Sequence, residues 1–223
     1  MSNAQNTRGR GGSVLHGLAR PVLVSSIFFM AVTGLAYPLL TTGAAQVLFP
    51  HQAQGSLVER GGQPVGSAVI GQDFTRAEYF HPRPSATVGT DPNDPSATVD
   101  QPYNAAASGA SNQAAVSQKL LEQIAARARA YRAENGLAAN APVPVDAVTA
   151  SGSGLDPDIS VANARQQVQR VARARGIAAA QVAALLEQQT SPRQLGLLGD
   201  PRVNVLQLNL ALDAATAGRA PAR

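Results

Sequence analysis

Between Arg20 and Glu59 the chain carries no acidic or basic side chain apart from His51. Few folds accommodate such a stretch. Its first part, Val22 to Leu40, is 19 residues long and holds ten Val, Leu, Ile or Phe residues. As a helix it would rise about 1.5 Å per residue and cover roughly 28 Å, close to the hydrocarbon thickness of a bilayer. Near the membrane centre each such residue contributes about −0.3 to −0.6 kcal/mol, so the ten together favour insertion by roughly 3 to 6 kcal/mol. Ser25, Ser26, Thr33, Gly34 and Pro38 offset part of that. The uncharged run continues from Thr41 to Pro50, which extends the helix beyond a possible kink at Pro38, with Tyr37 and Phe49 as interfacial aromatics. Two rival readings exist. A cleaved signal peptide would use Val22–Ala36 as its core and Ala44 and Ala45 as small cleavage-site residues, but signal cores are usually about 7–15 residues. A buried core helix would need a polar face, and this stretch shows none. The retained anchor is the reading adopted.

The flanks predict orientation. Arg8, Arg10 and Arg20 precede the span without an acid, whereas only Glu59 and Arg60 follow it closely. Positive charge stays cytoplasmic, so residues 1–20 are expected inside as a disordered N-terminus, 21–48 as the transmembrane helix, and 49–213 outside as one α/β (α+β) domain. A frayed tail, 214–223, completes the expectation.

Composition then removes function classes. The formal net charge is +4, but both termini supply it. Residues 21–218 hold 13 basic and 14 acidic side chains, which leaves no basic patch of the nucleic-acid kind. Seventeen of the 18 basic residues are Arg, a bias ascribed to genome composition. Cysteine is absent, which excludes disulfides, thiolate metal sites and Cys nucleophiles.

Along the domain, Gln52–Ser56 reads as a turn and Ser67–Gln72 as a short buried strand bounded by Gly66 and Gly71. Tyr79-Phe-His-Pro-Arg-Pro-Ser-Ala86 is stiffened by two prolines around Arg83. Pro84-Ser-Ala-Thr-Val88 recurs as Pro95-Ser-Ala-Thr-Val99 and reads as a loop grown by duplication. Its Asp91, Asp94 and Asp100 lack the Gly and final Glu of a calcium loop. Ser108–Asn112 has turn chemistry. Leu120, Ile124, Ala128 and Tyr131 align a helix over 117–135 that stops at Gly136. Pro142–Thr149 reads as a strand, and Ser151-Gly-Ser-Gly-Leu-Asp-Pro157 as a flexible polar turn. Ser160 caps a helix carrying Val161, Ala164, Val168 and Val171 and ending at Gly176. A further helix covers 178–189, with Val182, Leu185 and Leu186 inward. Residues 203–213 fit a strand by alternation, or a helix capped by Asn204; the helix formers favour the latter.

Catalytic chemistry is hard to assemble. His16 and His51 flank the span, so His81 alone remains as a general base. A signal-anchored periplasmic hydrolase would pair it with Ser153, or with Ser85 or Ser151, yet no Gly-x-Ser-x-Gly elbow exists. Ser151–Gly154 lacks the Lys and spacing of a phosphate-binding loop. Polar loops without a base, metal set or phosphate cradle point to binding.

The loops taken together resemble the C subunit of the bacterial Kdp potassium-transporting P-type ATPase. The resemblance rests on Gly34-Leu-Ala-Tyr-Pro-Leu39, Phe49-Pro50, Ala53-Gln-Gly-Ser56, Gly66-Ser with Ile70-Gly-Gln72, and Tyr79–Ala86. It continues through Ser111-Asn112, Ser151–Pro157, Arg170–Gly176 and Val203–Asn209, in one order from about residue 20 to 213. It implies a non-catalytic subunit of an ATP-driven potassium importer in the bacterial inner membrane, single-pass, with a periplasmic domain. The implied partners are a potassium-channel-like subunit, the ATP-hydrolysing subunit and a small single-span subunit. The family is described as assisting assembly and as raising ATP affinity of the hydrolysing subunit, a catalytic chaperone. No cofactor is expected on this chain; ATP and potassium belong to the complex. Three departures stand out: the Asp91–Asp100 insertion, Asp158 where the family commonly has His, and Asn112-Gln-Ala-Ala115 without the usual Gly-Pro. The candidate partner interface comprises Gln72, Tyr79, Arg83, Ser85, Asn112, Ser151, Ser153, Asp156 and Asn204 in the loops. On the span it comprises the small residues Ser26, Ala31 and Gly34, which let a neighbouring helix approach, and Pro38, which with the uncharged run to Phe49 shapes the exit that sets the outer domain over the transporter.

Overall fold

A computed structural model of the chain describes residues 11–217, with side chains from residue 17 onward. The chain divides into two units, one through Gly55 and one from Ser56.

The first unit is helical. Helix α1 (Gly11–Ala31) passes through a π-helical turn, Val32–Ala36, into α2 (Tyr37–Leu48), and a one-turn helix α3 (Pro50–Ala53) follows. From Gly17 to Leu48 the helix is 32 residues long, with a mean hydropathy of 1.9 and none of its apolar window buried. At about 1.5 Å per residue that is roughly 48 Å, longer than the hydrocarbon core. Two expectations change. Residues 11–20 are helical, so the expected disorder can concern only 1–10, which lie outside the described residues. Pro38 sits at the start of α2, and the irregularity lies before it: Pro38 has no N–H to give and Tyr37 N–H reaches back to Val32 O, five residues away.

The second unit is a mixed helix-and-strand domain built on small antiparallel sheets. β1 (Leu57–Arg60) pairs with β2 (Gln63–Ser67), and β3 (Val88–Thr90) with β4 (Thr98–Asp100). β5 (Asp158–Ser160), β6 (Thr190–Ser191) and β7 (Arg202–Asn204) form a three-stranded sheet with β7 in the middle. Helices α4 (Gln118–Asn135), α5 (Val161–Arg175), α6 (Ala179–Gln188) and α7 (Val205–Thr216) supply most of the mass. Ser117, Ser160 and Asn204 accept from Leu120, Asn163 and Gln207 N–H at the three N-termini, and Gly136 and Gly176 end α4 and α5 in the left-handed region.

The core collects Ile159 and Val203 from the sheet, Ala164, Val168 and Val171 from α5, Val182 and Leu186 from α6, and Val205, Leu208 and Leu212 from α7. Phe80, fully buried, enters from the proline-rich segment. The helix reading of 203–213 holds from Val205 onward, while Arg202–Asn204 is strand; α7 continues to Thr216, past the expected start of fraying.

Three segments depart from expectation. Ser67 ends β2 and residues 68–72 turn away, with Val69 exposed, because Gly71 N–H bonds to Leu155 O instead of extending the ladder. Pro142–Thr149 holds a 3-10 turn, Val145–Ala147, which leaves Val145 exposed and Val148 buried. The duplicated segment is a hairpin: the second copy's Thr98–Val99 pairs with Thr90 and Gly89 just beyond the first copy. Asp91 and Asp94 form its turn, accepting from Asn93 N–H and Ser96 N–H.

Candidate functional site

The polar centre of the domain is the Tyr79–Ala86 segment and the side chains that hold it. The segment has too many prolines to join a sheet, so its backbone groups need other partners. Helices supply them. Asn209 of α7 accepts from Phe80 N–H at 2.8 Å and donates to Phe80 O at 3.0 Å. Gln167 of α5 does the same for His81, accepting from N–H at 2.7 Å and donating to O at 3.1 Å. Each amide replaces one residue of a missing strand. Both are only 1% exposed, so these bonds are made away from water.

Arg170 completes the clamp. Its Nη1 donates to Ala77 O at 2.6 Å and Tyr79 O at 2.9 Å, its Nε to Asn135 Oδ1 at 3.0 Å, and its Nη2 to Gln167 Oε1 at 2.7 Å. Burial pulls its pKa below the usual arginine value, against the Glu134 carboxylate 3.8 Å away. Glu134 also meets His81 Nδ1 at 2.7 Å, and that hydrogen bond holds its carboxyl below the usual glutamate range. His81 Nε2 lies 3.0 Å from Arg76 O. Tyr131 donates to Asn163 Oδ1 at 2.9 Å, and Asn163 donates to Asp146 at 3.0 Å. Burial pushes the Tyr131 hydroxyl well above its ordinary pKa.

Downstream, the segment is wired to two loops. Arg83 Nη1 donates to Asp156 at 2.8 Å, and Tyr103 donates to Arg83 O at 2.8 Å. Ser85 Oγ donates to Gly154 O at 2.7 Å and accepts from Tyr103 N–H at 3.1 Å. Gly154 has φ +69°, and a Cβ there would stand 2.5 Å from Gly109 O, so the loop closes only around glycine. Beside the segment lies a cavity of about 490 Å³, lined among others by Phe74, His81, Arg83, Tyr103, Arg127 and Glu134.

Most expected interface residues in the domain bond inward. Gln72 donates to Val65 O, and Asn204 caps α7 while donating to Ala68 O. The guanidinium groups of Arg76 and Arg175 both lie over the Tyr79 ring, 5.0 and 4.9 Å from its centre. Arg83, Ser85 and Asp156 form the loop ties just described. Ser151 Oγ accepts from Gly154 N–H at 2.9 Å and Ser153 Oγ from Leu155 N–H at 3.1 Å, so the loop expected to be flexible is internally tied. Two of its amides, Gly154 and Leu155, are used by its own hydroxyls, which disfavours a phosphate cradle. Asn112 is exposed in a left-handed conformation, φ 50°. On the span, Ser26, Ala31, Gly34 and Pro38 are all exposed.

The hydrolase alternative gains nothing from this geometry. His81 contacts Glu134 and Arg76, while Ser85, Ser151 and Ser153 bond to backbone groups and to hydroxyls. No serine meets His81 among the described residues.

Sequence reasoning missed Gln167, Arg170 and Asn209, which bond to the segment, and Asn135 and Asn163, which bond to Arg170 and Gln167 behind it. A signal was present in α5. Asn163, Gln167 and Arg170 recur at spacings of four and three, the same period as Ala164, Val168 and Val171, so the polar residues flank the buried face.

Comparison with known proteins covers span and domain together. Residues 19–214 match the family described as K+-transporting ATPase, c chain (KdpC). A protein of Rhodopseudomonas palustris named potassium-transporting ATPase KdpC subunit is 57% identical over 196 residues, 88% of this chain and 96% of its own length. Proteins of the same name from Bradyrhizobium diazoefficiens and Methylobacterium nodulans are each 54% identical, over 198 and 194 residues. They span 89% and 87% of this chain, and 97% and 95% of their own lengths. The chain belongs to the KdpC family.

Proposed function

We propose that this chain is a non-catalytic, single-pass subunit of a potassium-importing P-type ATPase complex, which it helps to assemble from the outer side of the bacterial inner membrane. The observation that carries the reading is the family match from residue 19 to 214, which takes in the apolar span and the domain as one unit of descent. The partners are the potassium-channel-like subunit, the ATP-hydrolysing subunit and the small single-span subunit. Arg8, Arg10 and Arg20 keep the N-terminus in the cytoplasm and set residues from about 50 onward in the periplasm.

In this topology the domain is remote from cytosolic ATP. A catalytic-chaperone effect, a raised ATP affinity of the hydrolysing subunit, is then exerted indirectly by docking over the potassium subunit. The N–H groups of Gly154 and Leu155, taken up by the loop's own hydroxyls, support an indirect role. A docking element is available in the tight turn between β6 and β7. There Gln194 and Leu198 exchange backbone bonds of 2.9 Å, and Leu195 and Gly196 take φ values of 53° and 73°. Leu195, Leu197 and Leu198 are 90, 80 and 60% exposed, an apolar tip on a hairpin closed by its own backbone bonds.

The test is purification of the tagged full chain in mild detergent, followed by crosslinking from Leu197→Cys, the chain having no other cysteine. Co-purification of the three other subunits and crosslinks to the potassium-channel-like subunit are expected. Purification of the wild-type chain alone, or crosslinks solely to the cytosolic nucleotide domain, would overturn the reading.

A further inference from the structure

The π-helical turn in the span leaves polar groups that a bilayer does not satisfy. Tyr37 N–H donates to Val32 O, so it does not serve the Thr33 carbonyl as it would in an α-helix. Pro38 has no N–H, so the Gly34 carbonyl loses its α-helical donor as well. Nearby hydroxyls do not repair this: Thr33 Oγ1 donates to Phe29 O at 2.7 Å, and Thr41 Oγ1 to Tyr37 O at 2.8 Å. The Ser26 and Thr42 hydroxyls have no hydrogen-bond partner among the described residues. Nothing lies within 4 Å of a Cβ built on Gly34, so the backbone there is open to close approach.

The extra residue in the turn also re-aims the helix. An α-helix turns about 100° per residue, so Ser26, Thr33, Gly34, Pro38, Thr41 and Thr42 would spread over roughly 180° on a regular helix. The π turn removes nearly one residue of rotation and gathers the six into roughly 110°. Donor-poor carbonyls, free hydroxyls and the missing side chain thus fall on one face, at membrane depth. Ala31 falls outside it.

We infer that this face docks a transmembrane helix of another subunit, one that presents a side-chain hydrogen-bond donor, a hydroxyl or amide, to the carbonyls of Thr33 and Gly34. Lipid tails carry no such donor, and an unmet backbone group in hydrocarbon is costly enough that spanning segments avoid it. The inference deepens the reading of the chain as a complex subunit and rests on it.

Pro38→Ala restores the N–H and, with it, a regular helix. It satisfies the Gly34 carbonyl internally and rotates Thr41 and Thr42 away from Ser26. Co-purification of the other subunits with the full chain should fall about tenfold, the scale of one intramembrane hydrogen bond with its packing. Gly34→Leu should fall similarly by blocking approach, whereas Leu40→Ala, off this face, should not. Membrane extraction of each variant confirms insertion. Gly34→Cys should crosslink to another subunit. Undiminished co-purification of both Pro38→Ala and Gly34→Leu would overturn the inference. So would a Gly34→Cys homodimer, or a Gly34→Cys thiol that stays open to lipid-soluble reagents in the assembled complex. Failure of the wild-type chain to retain any partner would instead strike the subunit reading itself.

Discussion

Removing the Arg170 guanidinium should unfasten the proline-rich segment from the helices. The side chain is 7% exposed and donates to Ala77 O, Tyr79 O, Asn135 Oδ1 and Gln167 Oε1. Arg170→Ala leaves four acceptors without this donor and Glu134 without its nearest arginine. Each unmet buried acceptor costs about 1–3 kcal/mol. The adjacent cavity of about 490 Å³ lets water reach some of them, which lowers the sum. Gln167 Oε1 keeps the His81 N–H, so three acceptors are left unmet, and we expect a loss of about 4 kcal/mol, inside the roughly 3–9 kcal/mol that three such acceptors imply. Arg170→Lys keeps the charge but not the fork, and three rotatable donors cannot reach four acceptors set by a planar group, so it should recover about half. The assay is thermal unfolding of the full chain in mild detergent, followed by near-ultraviolet dichroism of its four tyrosines, since tryptophan is absent. At roughly 2–4 °C per kcal/mol for a domain of this size, Arg170→Ala should lower Tm by about 8–16 °C. A drop below about 3 °C, or equal drops for Ala and Lys, would refute the clamp.

Two predictions concern pH. The Glu134 carboxyl is held below its ordinary range by His81, so its contribution is complete above the unfolded glutamate pKa and is lost as pH falls through the lower folded value. Glu134→Gln should therefore flatten the acid limb of urea midpoints measured below about pH 4.3, and an unchanged limb would contradict this. Asp158 has the opposite sign: burial raises its pKa despite Arg202 at 2.9 Å, so stability falls as pH rises from the ordinary aspartate value through the folded one. Asp158→Asn should gain on the wild type as pH rises through that window, read from the same midpoints, and a constant offset would count against it.

The sequence spoke most clearly where chemistry is local. Ser117, Ser160 and Asn204 each place an acceptor three residues before a free N–H, and Gly136 and Gly176 take the left-handed conformation that other residues resist. Those signals stand within a few residues and need no partner. The span is equally local, because twenty uncharged positions suffice. The strands were less legible because none exceeds five residues and their partners are distant. Val143, Val145 and Val148 gave a strand-like pattern, but Asp146 decides the matter by accepting from Ser160 N–H and Oγ, which requires a tight turn. The duplicated Pro-Ser-Ala-Thr-Val looked structureless because each copy is too short to show a period, and only pairing reveals the hairpin.

The site was legible as a motif but not as a mechanism of attachment. Tyr79–Ala86 looked like a surface for partners because its residues are polar, aromatic and proline-fixed. Its proline content has another consequence: a segment that cannot form a ladder must be held by side chains, and here two buried amides and one guanidinium come from α5 and α7, with Asn135 of α4 bonded behind the guanidinium. The carbonyls of Thr33 and Gly34 pose the same problem in a different solvent. In the domain, proline forces helices to lend side-chain donors, and the fold contains them. In the span, proline forces the same demand, and the hydroxyls of Thr33 and Thr41 beside it are spent on the Phe29 and Tyr37 carbonyls, so the need passes to another helix. A residue defined by what it cannot donate thus organises both units, through internal bonds in one and through assembly in the other.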